Sequence, residues 1–176
     1  MKLVILLVTV GLAVAQQEGG LTKQAAPKWS NEPDSYRGLK FGASESEAKH
    51  IFQGVGRCVA APKGQQATIG DRACVTQYEL GEVSVRGFLV FVDGKFVKSI
   101  STFDSRSFDK VRDIITERYG PPHVTLGDKL GWTGKDVTIS LGRGITQSVF
   151  ALGLVSFEEA TKEAEKAAKK KAAEKM

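Results

Sequence analysis

The stretch VSVRGFLVFVDGKFVKSISTF, Val83–Phe103, decides how the chain is read. Asp93-Gly94 stands between two runs rich in β-branched and aromatic residues. A two-residue type I′ turn needs positive φ at both central positions, which Asp-Gly supplies at low cost. A hairpin closed there pairs Val92 with Lys95, Phe91 with Phe96, and Val90 with Val97. One face then carries Leu89, Phe91, Phe96 and Ile100, and the other Phe88, Val90, Val92 and Val97. A hairpin with one solvated face alternates apolar and polar residues. Here both faces are apolar near the turn. Helices can cover one of them, and the other then requires the tail, the Trp29 arm, a second subunit or a partner.

On the N-terminal side, Gly38–Phe52 reads GLKFGASESEAKHIF. Ser44 and Glu47 have the spacing of a capping box, in which the hydroxyl accepts from the N3 amide and the carboxylate reaches back to the cap. Ala48, Ile51 and Phe52 recur at helical spacing until Gly54 and Gly56, so a helix is expected from about Glu45 to Gln53. The acids of ASESE suit a helix N-terminus and call for no catalytic role. Leu39 to Phe41 is a short extended segment. On the C-terminal side, Phe108, Val111, Ile114, Ile115 and Tyr119 form an apolar stripe, with Ser107 as a cap and Gly120-Pro121-Pro122 as the stop. Strand signals resume at Lys129–Thr133 and Asp136–Leu141, around a turn at Gly134, and again at Ile145–Val155. Helix, strands, helix, strands is the order of an α+β domain: an antiparallel β-sheet with two short helices on one face, plus a charged C-terminal helix.

The ends read differently from this centre. Lys2, the apolar run Leu3–Val14 and the small-x-small Ala13-Val14-Ala15 make residues 1–15 a signal peptide cleaved near Ala15. The run is shorter than the roughly 20 residues of a membrane helix. No cysteine follows the cleavage site, so a lipoprotein anchor is not expected. Residues 16–35 form a linker or extended arm in which Trp29 is expected to tuck against the domain edge. Residues 36–155 form a single α+β domain, and 156–176 a tail of Ala, Lys and Glu. That tail carries a second capping-box spacing, Ser156 with Glu159, and i,i+4 pairs Glu158–Lys162 and Glu165–Lys169.

Cys58 and Cys74 make an even count in a chain read as exported, which favours a disulfide bond. With only His50 and His123 besides, they are a poor zinc set. The net charge of +5 is mild and mixed along the chain, so no nucleic-acid partner is expected. No G-x-S-x-G is present, and Gly54-Val55-Gly56 lacks the third glycine of a phosphate loop. Glu79, Glu82, Asp104 and Asp128 stand beside expected turns or strand ends, where solvated acids are common. No catalytic, cofactor-binding or metal-binding residue is assigned.

The succession of Gly38–Phe52, a Cys pair, FLVFVDGKFVKSISTF, VRDIITERYGPP and a Trp-containing strand resembles a type of bacterial exported domain. Its first part is similar to the opening of the small outer-membrane assembly lipoproteins of the SmpA/OmlA kind. That resemblance implies helices on one face of an antiparallel sheet and a scaffolding role through protein contact. The chain departs from the pattern in lacking the anchoring cysteine and in inserting a Cys-bounded loop, so no functional residue is carried over.

These readings lead to a periplasmic or secreted protein-binding or scaffolding module without catalytic activity. Its expected contact face is Phe88, Val90, Val92 and Val97, and its partner another envelope protein or a second copy in a homodimer. Two alternatives stand beside it. One is a structural envelope protein whose Lys-rich tail makes peripheral contact with a membrane or cell-wall polymer. The other is a small ligand-binding or hydrolytic domain whose site is assembled from distant residues.

Overall fold

The computed structural model describes residues 29–52, 55–62 and 70–174. The signal-peptide reading, most of the 16–35 arm and the helix end at Gln53 fall outside the described residues. Among the described residues, ten strands and three α-helices follow in the order β1 (Ser35–Tyr36), β2 (Leu39–Lys40), α1 (Glu45–Ile51), β3 (Cys58–Ala60), β4 (Arg72–Leu80), β5 (Val83–Val92), β6 (Lys95–Asp104), α2 (Phe108–Tyr119), β7 (Val124–Leu126), β8 (Lys129–Thr133), β9 (Val137–Gly142), β10 (Gln147–Leu154) and α3 (Val155–Ala173). The fold is α+β. Strands β1 and β2 make a small hairpin, and the other eight form one antiparallel sheet in the order β3-β4-β5-β6-β10-β9-β8-β7.

That order is a helix and a four-strand meander, used twice. Strands β3 to β6 follow α1, strands β7 to β10 follow α2, and the last strands of the two meanders, β6 and β10, pair antiparallel at the centre. Such a sheet is related to itself by an approximate two-fold axis through its middle, which leaves α1 and α2 on the same face. Buried Ala48 and Phe52, and Phe108, Val111, Ile115 and Tyr119 of α2, join one core with the strands beneath them.

The Asp93-Gly94 turn closes the β5–β6 hairpin with φ values of 50° and 71°. Val92 pairs with Lys95 and Phe91 with Phe96, but the ladder then shifts and Val90 lies opposite Lys98. The expected Val90–Val97 pair does not form: Val97 is the extra residue of a β-bulge. One inserted residue turns every later side chain of the strand to the opposite face. Ile100 therefore stands opposite Phe88, away from Leu89, while Ser99 and Ser101 point into the core.

The Ser44–Glu47 capping box forms in full. The other two expected caps do not. Before α2 a single 3₁₀ turn, Ser105–Ser107, is capped by Asp104 accepting from the Arg106 amide, and Ser107 makes no side-chain cap bond. Helix α3 starts at Val155, one residue before the expected Ser156 cap, so Ser156 lies within its first turn. Its Glu158 pairs with Lys98 of β6 at 2.5 Å.

The sequence pattern leaves β1, β3, β4 and β7 unassigned. Strand β4 is the important omission, since its core-facing residues are Cys74, Thr76 and Tyr78, which do not read as an apolar alternation. Cys58 and Cys74 stand directly opposite each other in the β3–β4 ladder and are joined by a disulfide. Trp29 packs where the arm meets the domain, donating from Nε1 to the Tyr119 carbonyl at 2.8 Å. Glu32 completes that attachment by accepting from the backbone amides of Lys135, Asp136 and Val137 at 2.6 to 3.1 Å. Partial burial pushes the Glu32 carboxyl up, but these three donors outweigh it and its pKa lies below the ordinary glutamate value.

Candidate protein-binding face

The register places residues on the two sides of the sheet without ambiguity. On the side away from α1 and α2, Val75, Phe88, Ile100, Ala151, Ser140, Gly131 and Val124 form one row across seven strands. A neighbouring row runs Gln77, Arg86, Thr102, Val149, Gly142, Lys129 and Leu126. The row on the other flank runs Val59, Ala73, Val90, Lys98, Gly153 and Thr138.

Helix α3 covers this last flank. Phe157 is buried, the Lys98 ammonium lies 6.0 Å over its ring, and Glu158 holds the same ammonium. Val90 is also covered from the β4 side: a Cβ on Gly70 would fall 2.4 Å from its Cγ1. Beyond Glu165 the described residues of α3 are exposed. At the β10–β9 end of the Phe88–Ile100 row, Glu158 and Lys162 of α3 line a small cavity with Ser140 and Ala151, and Phe88, Ile100 and Val149 are not among the residues at that contact. Among the described residues, four of the six exposed large apolar residues, Val59, Val124, Leu126 and Val149, are on this side of the sheet. The Arg86 guanidinium sits 5.3 Å above the Phe88 ring, so the open surface pairs a cation with its largest aromatic.

The four residues expected to form a contact face are thus dispersed. Phe88 is half-buried at the centre of the open rows and Val90 is buried beneath its neighbours. Val92 is half-buried at the hairpin end, and Val97 is half-buried in the bulge, out of the ladder. Val75, Ile100 and Val149 belong to the open rows; the sequence pattern does not mark Val75 or Val149, and it places Ile100 on the opposite face with Leu89. Val149 could have been found, because in VFALGLV it alternates with the core residues Phe150 and Leu152. Ile100 could not, because the bulge that turns it outward leaves no mark in the sequence.

The remaining chemistry-bearing groups are held in structural contacts. Glu82 pairs with Lys110, Asp104 caps a turn and grips Arg106, and Asp128 lies 3.6 Å from Arg143. Glu79 and His50 are exposed. His123 meets the edge of the Trp29 ring at 5.3 Å and bonds the Thr133 backbone. Glu45, Cys58 and Cys74 come together, but the sulfurs are bridged and offer no thiolate, and Glu45 holds Arg72 at 2.5 Å. A disulfide of this kind persists in an oxidising compartment. No helix among the described residues is long and apolar enough to cross a membrane. Compared with protein families, characterised proteins and solved structures, the chain matches none.

Proposed function

We propose that the protein is an exported binding or scaffolding module that offers the open half of its sheet, centred on Phe88, Ile100 and Val149, to another envelope protein. One observation carries this reading. Strands β5, β6 and β10 lie in the middle of the sheet, where a solvated face is ordinarily polar, yet the central outward row across them is Phe88, Ile100 and Ala151, with Val149 next to it beside Arg86 and Thr102. Apolar side chains grouped on an uncovered surface mark contact sites more often than isolated ones do. The disulfide and the N-terminal apolar run of the sequence support the exported setting.

The test is photo-crosslinking from positions 100 and 149 in the native envelope fraction, followed by mass spectrometry. The expected result is one dominant protein adduct from both positions and none from an exposed position such as Glu163. Recovery of uncross-linked chain alone from both positions would sink the reading.

A further inference from the structure

All three tyrosines of the chain, Tyr36, Tyr78 and Tyr119, gather at the β4 edge of the sheet. The Tyr36 and Tyr78 hydroxyls bond each other, and the Ser101 hydroxyl meets them at 3.1 and 2.7 Å. The Tyr78 ring leans over Gly87, its diagonal neighbour on β5, where a Cβ would lie 3.1 Å from its Cε1. Burial, reinforced by the Tyr36 hydroxyl, pushes the Tyr78 hydroxyl far above the ordinary tyrosine range, so it stays protonated.

Outside this cluster opens a cavity of about 530 Å³ lined by Arg37, Ile51, Phe52, Gln77, Tyr78 and Arg118. It holds two guanidiniums and no carboxylate. Neither arginine is in an ion pair among the described residues. Arg37 is nonetheless held in place: its backbone has φ of 52°, its guanidinium lies 4.4 Å over the Tyr78 ring, and Nη1 donates to the Glu79 carbonyl at 3.3 Å. A guanidinium has five N–H donors, so most of those on Arg37 remain for a ligand.

The strand beside the cavity is also incompletely paired. The β3 ladder covers only Arg72–Cys74, and the Gly56 amide extends it to the Val75 carbonyl. Along β4 the outward carbonyls are those of Asp71, Val75 and Glu79, which accept from Ala61, Gly56 and Arg37. The two-residue period of a strand makes Gln77 the next outward position, with its N–H and C=O facing the cavity and no partner there among the described residues.

We infer that this cavity binds an acidic peptide segment in extended form, which adds to the β4 edge at Gln77 and places a carboxylate between Arg37 and Arg118. Backbone pairing supplies the orientation, and the two guanidiniums select the carboxylate. Ile51 and Phe52 give an apolar wall for the neighbouring side chain. Gln77 also heads the Arg86–Val149 row, so the site adjoins the open face at its β4 end, but its test reads the strand edge and the two arginines and not positions 100 and 149.

The experiment titrates three probes into the ¹⁵N-labelled, disulfide-bonded full chain: acetyl-Thr-Val-Glu-Val-Thr-amide, the same peptide with Gln for Glu, and inorganic phosphate. The expected result is a saturable shift of the Gln77 backbone amide together with the Arg37 and Arg118 Nε–H signals. The Glu peptide should bind about tenfold tighter than the Gln peptide, as a lost charge-assisted contact predicts. Arg118→Gln, on an exposed helix position, should remove that difference while leaving core amides in place. Equal affinity of the two peptides, or no saturable shift at Gln77, would overturn the inference. Phosphate shifting both arginine signals while the Glu peptide leaves Gln77 unmoved would assign the cavity to small anions instead.

Discussion

Two rows of the same sheet, one residue apart in every strand, have opposite fates. Leu89, Ser99, Leu152, Ile139 and Trp132 run across five strands on the helix-covered side, and each is at most 1% exposed. Their immediate neighbours Phe88, Ile100, Ala151, Ser140 and Gly131 run across the same strands on the other side, and only Ala151 is buried. Both rows hold bulky apolar residues at their centre. Composition therefore does not separate them. What separates them, among the described residues, is that α1 and α2 pack on the first side, whereas α3 sits on the other over the Val90–Lys98 flank and beside Ser140 and Ala151. An apolar residue in the first row stabilises the fold, and one in the second row is available for contact.

Substitutions can break this contrast, and the largest effect is expected in the covered row. Trp132→Ala removes a fully buried indole and its bond to the Gly120 carbonyl at 2.8 Å. It should destabilise the chain by about 4 kcal/mol in denaturant melts. A loss below about 1 kcal/mol would show that this side is less tightly closed than the burial implies. Opening the Cys58–Cys74 bridge, whose ends are 16 positions apart, should cost about 3 kcal/mol on the chain-entropy account. Unchanged melting under reducing conditions would count against it.

The attachment of the arm gives a smaller, pH-dependent effect. The folded pKa of Glu32 lies below its unfolded value, so its contribution is complete above the ordinary glutamate range. It is lost as pH falls through the depressed folded value. Glu32→Gln should cost about 1 kcal/mol at neutral pH. It should also flatten the stability profile in that acid window, and identical acid profiles for the two proteins would refute the linkage. The smallest effect is expected on the open row. Ile100→Thr should change stability by less than about 0.5 kcal/mol, as a strand surface substitution does, while reducing adduct formation at position 149. A loss of several kcal/mol would mean that Ile100 belongs to a closed core.

Legibility follows the range of the interactions involved. The Asp93-Gly94 turn, the Ser44–Glu47 box, the Gly120 stop and strands β8 and β10 are set by neighbours along the chain, and their residues announce them. The expected Ser107 and Ser156 caps do not form for a related reason. A capping spacing states that a cap is possible, but a preceding 3₁₀ turn and an earlier helix start took the position instead. Strand β4 is hidden because its core face carries hydroxyls, Thr76 and Tyr78, and the burial of Tyr78 makes sense only once Tyr36 and Ser101 are brought to it. The open face was legible in kind and not in membership. Apolar residues on both sides of the hairpin could be read, but the assignment of Ile100 and Val97 depends on the bulge.

The sequence by itself determined the alternation of helices and strands, the hairpin turn and the pairing partners for the two cysteines, since each rests on short-range stereochemistry or on simple counting. Tertiary structure alone decided that two helix-and-meander units join through β6 and β10, that one bulge exchanges the faces of Ile100 and Ser99, and that α3 seats on the Val90–Lys98 flank of the sheet. Those outcomes depend on contacts between segments far apart in the chain, where the identity of a residue does not reveal which other residue it will meet.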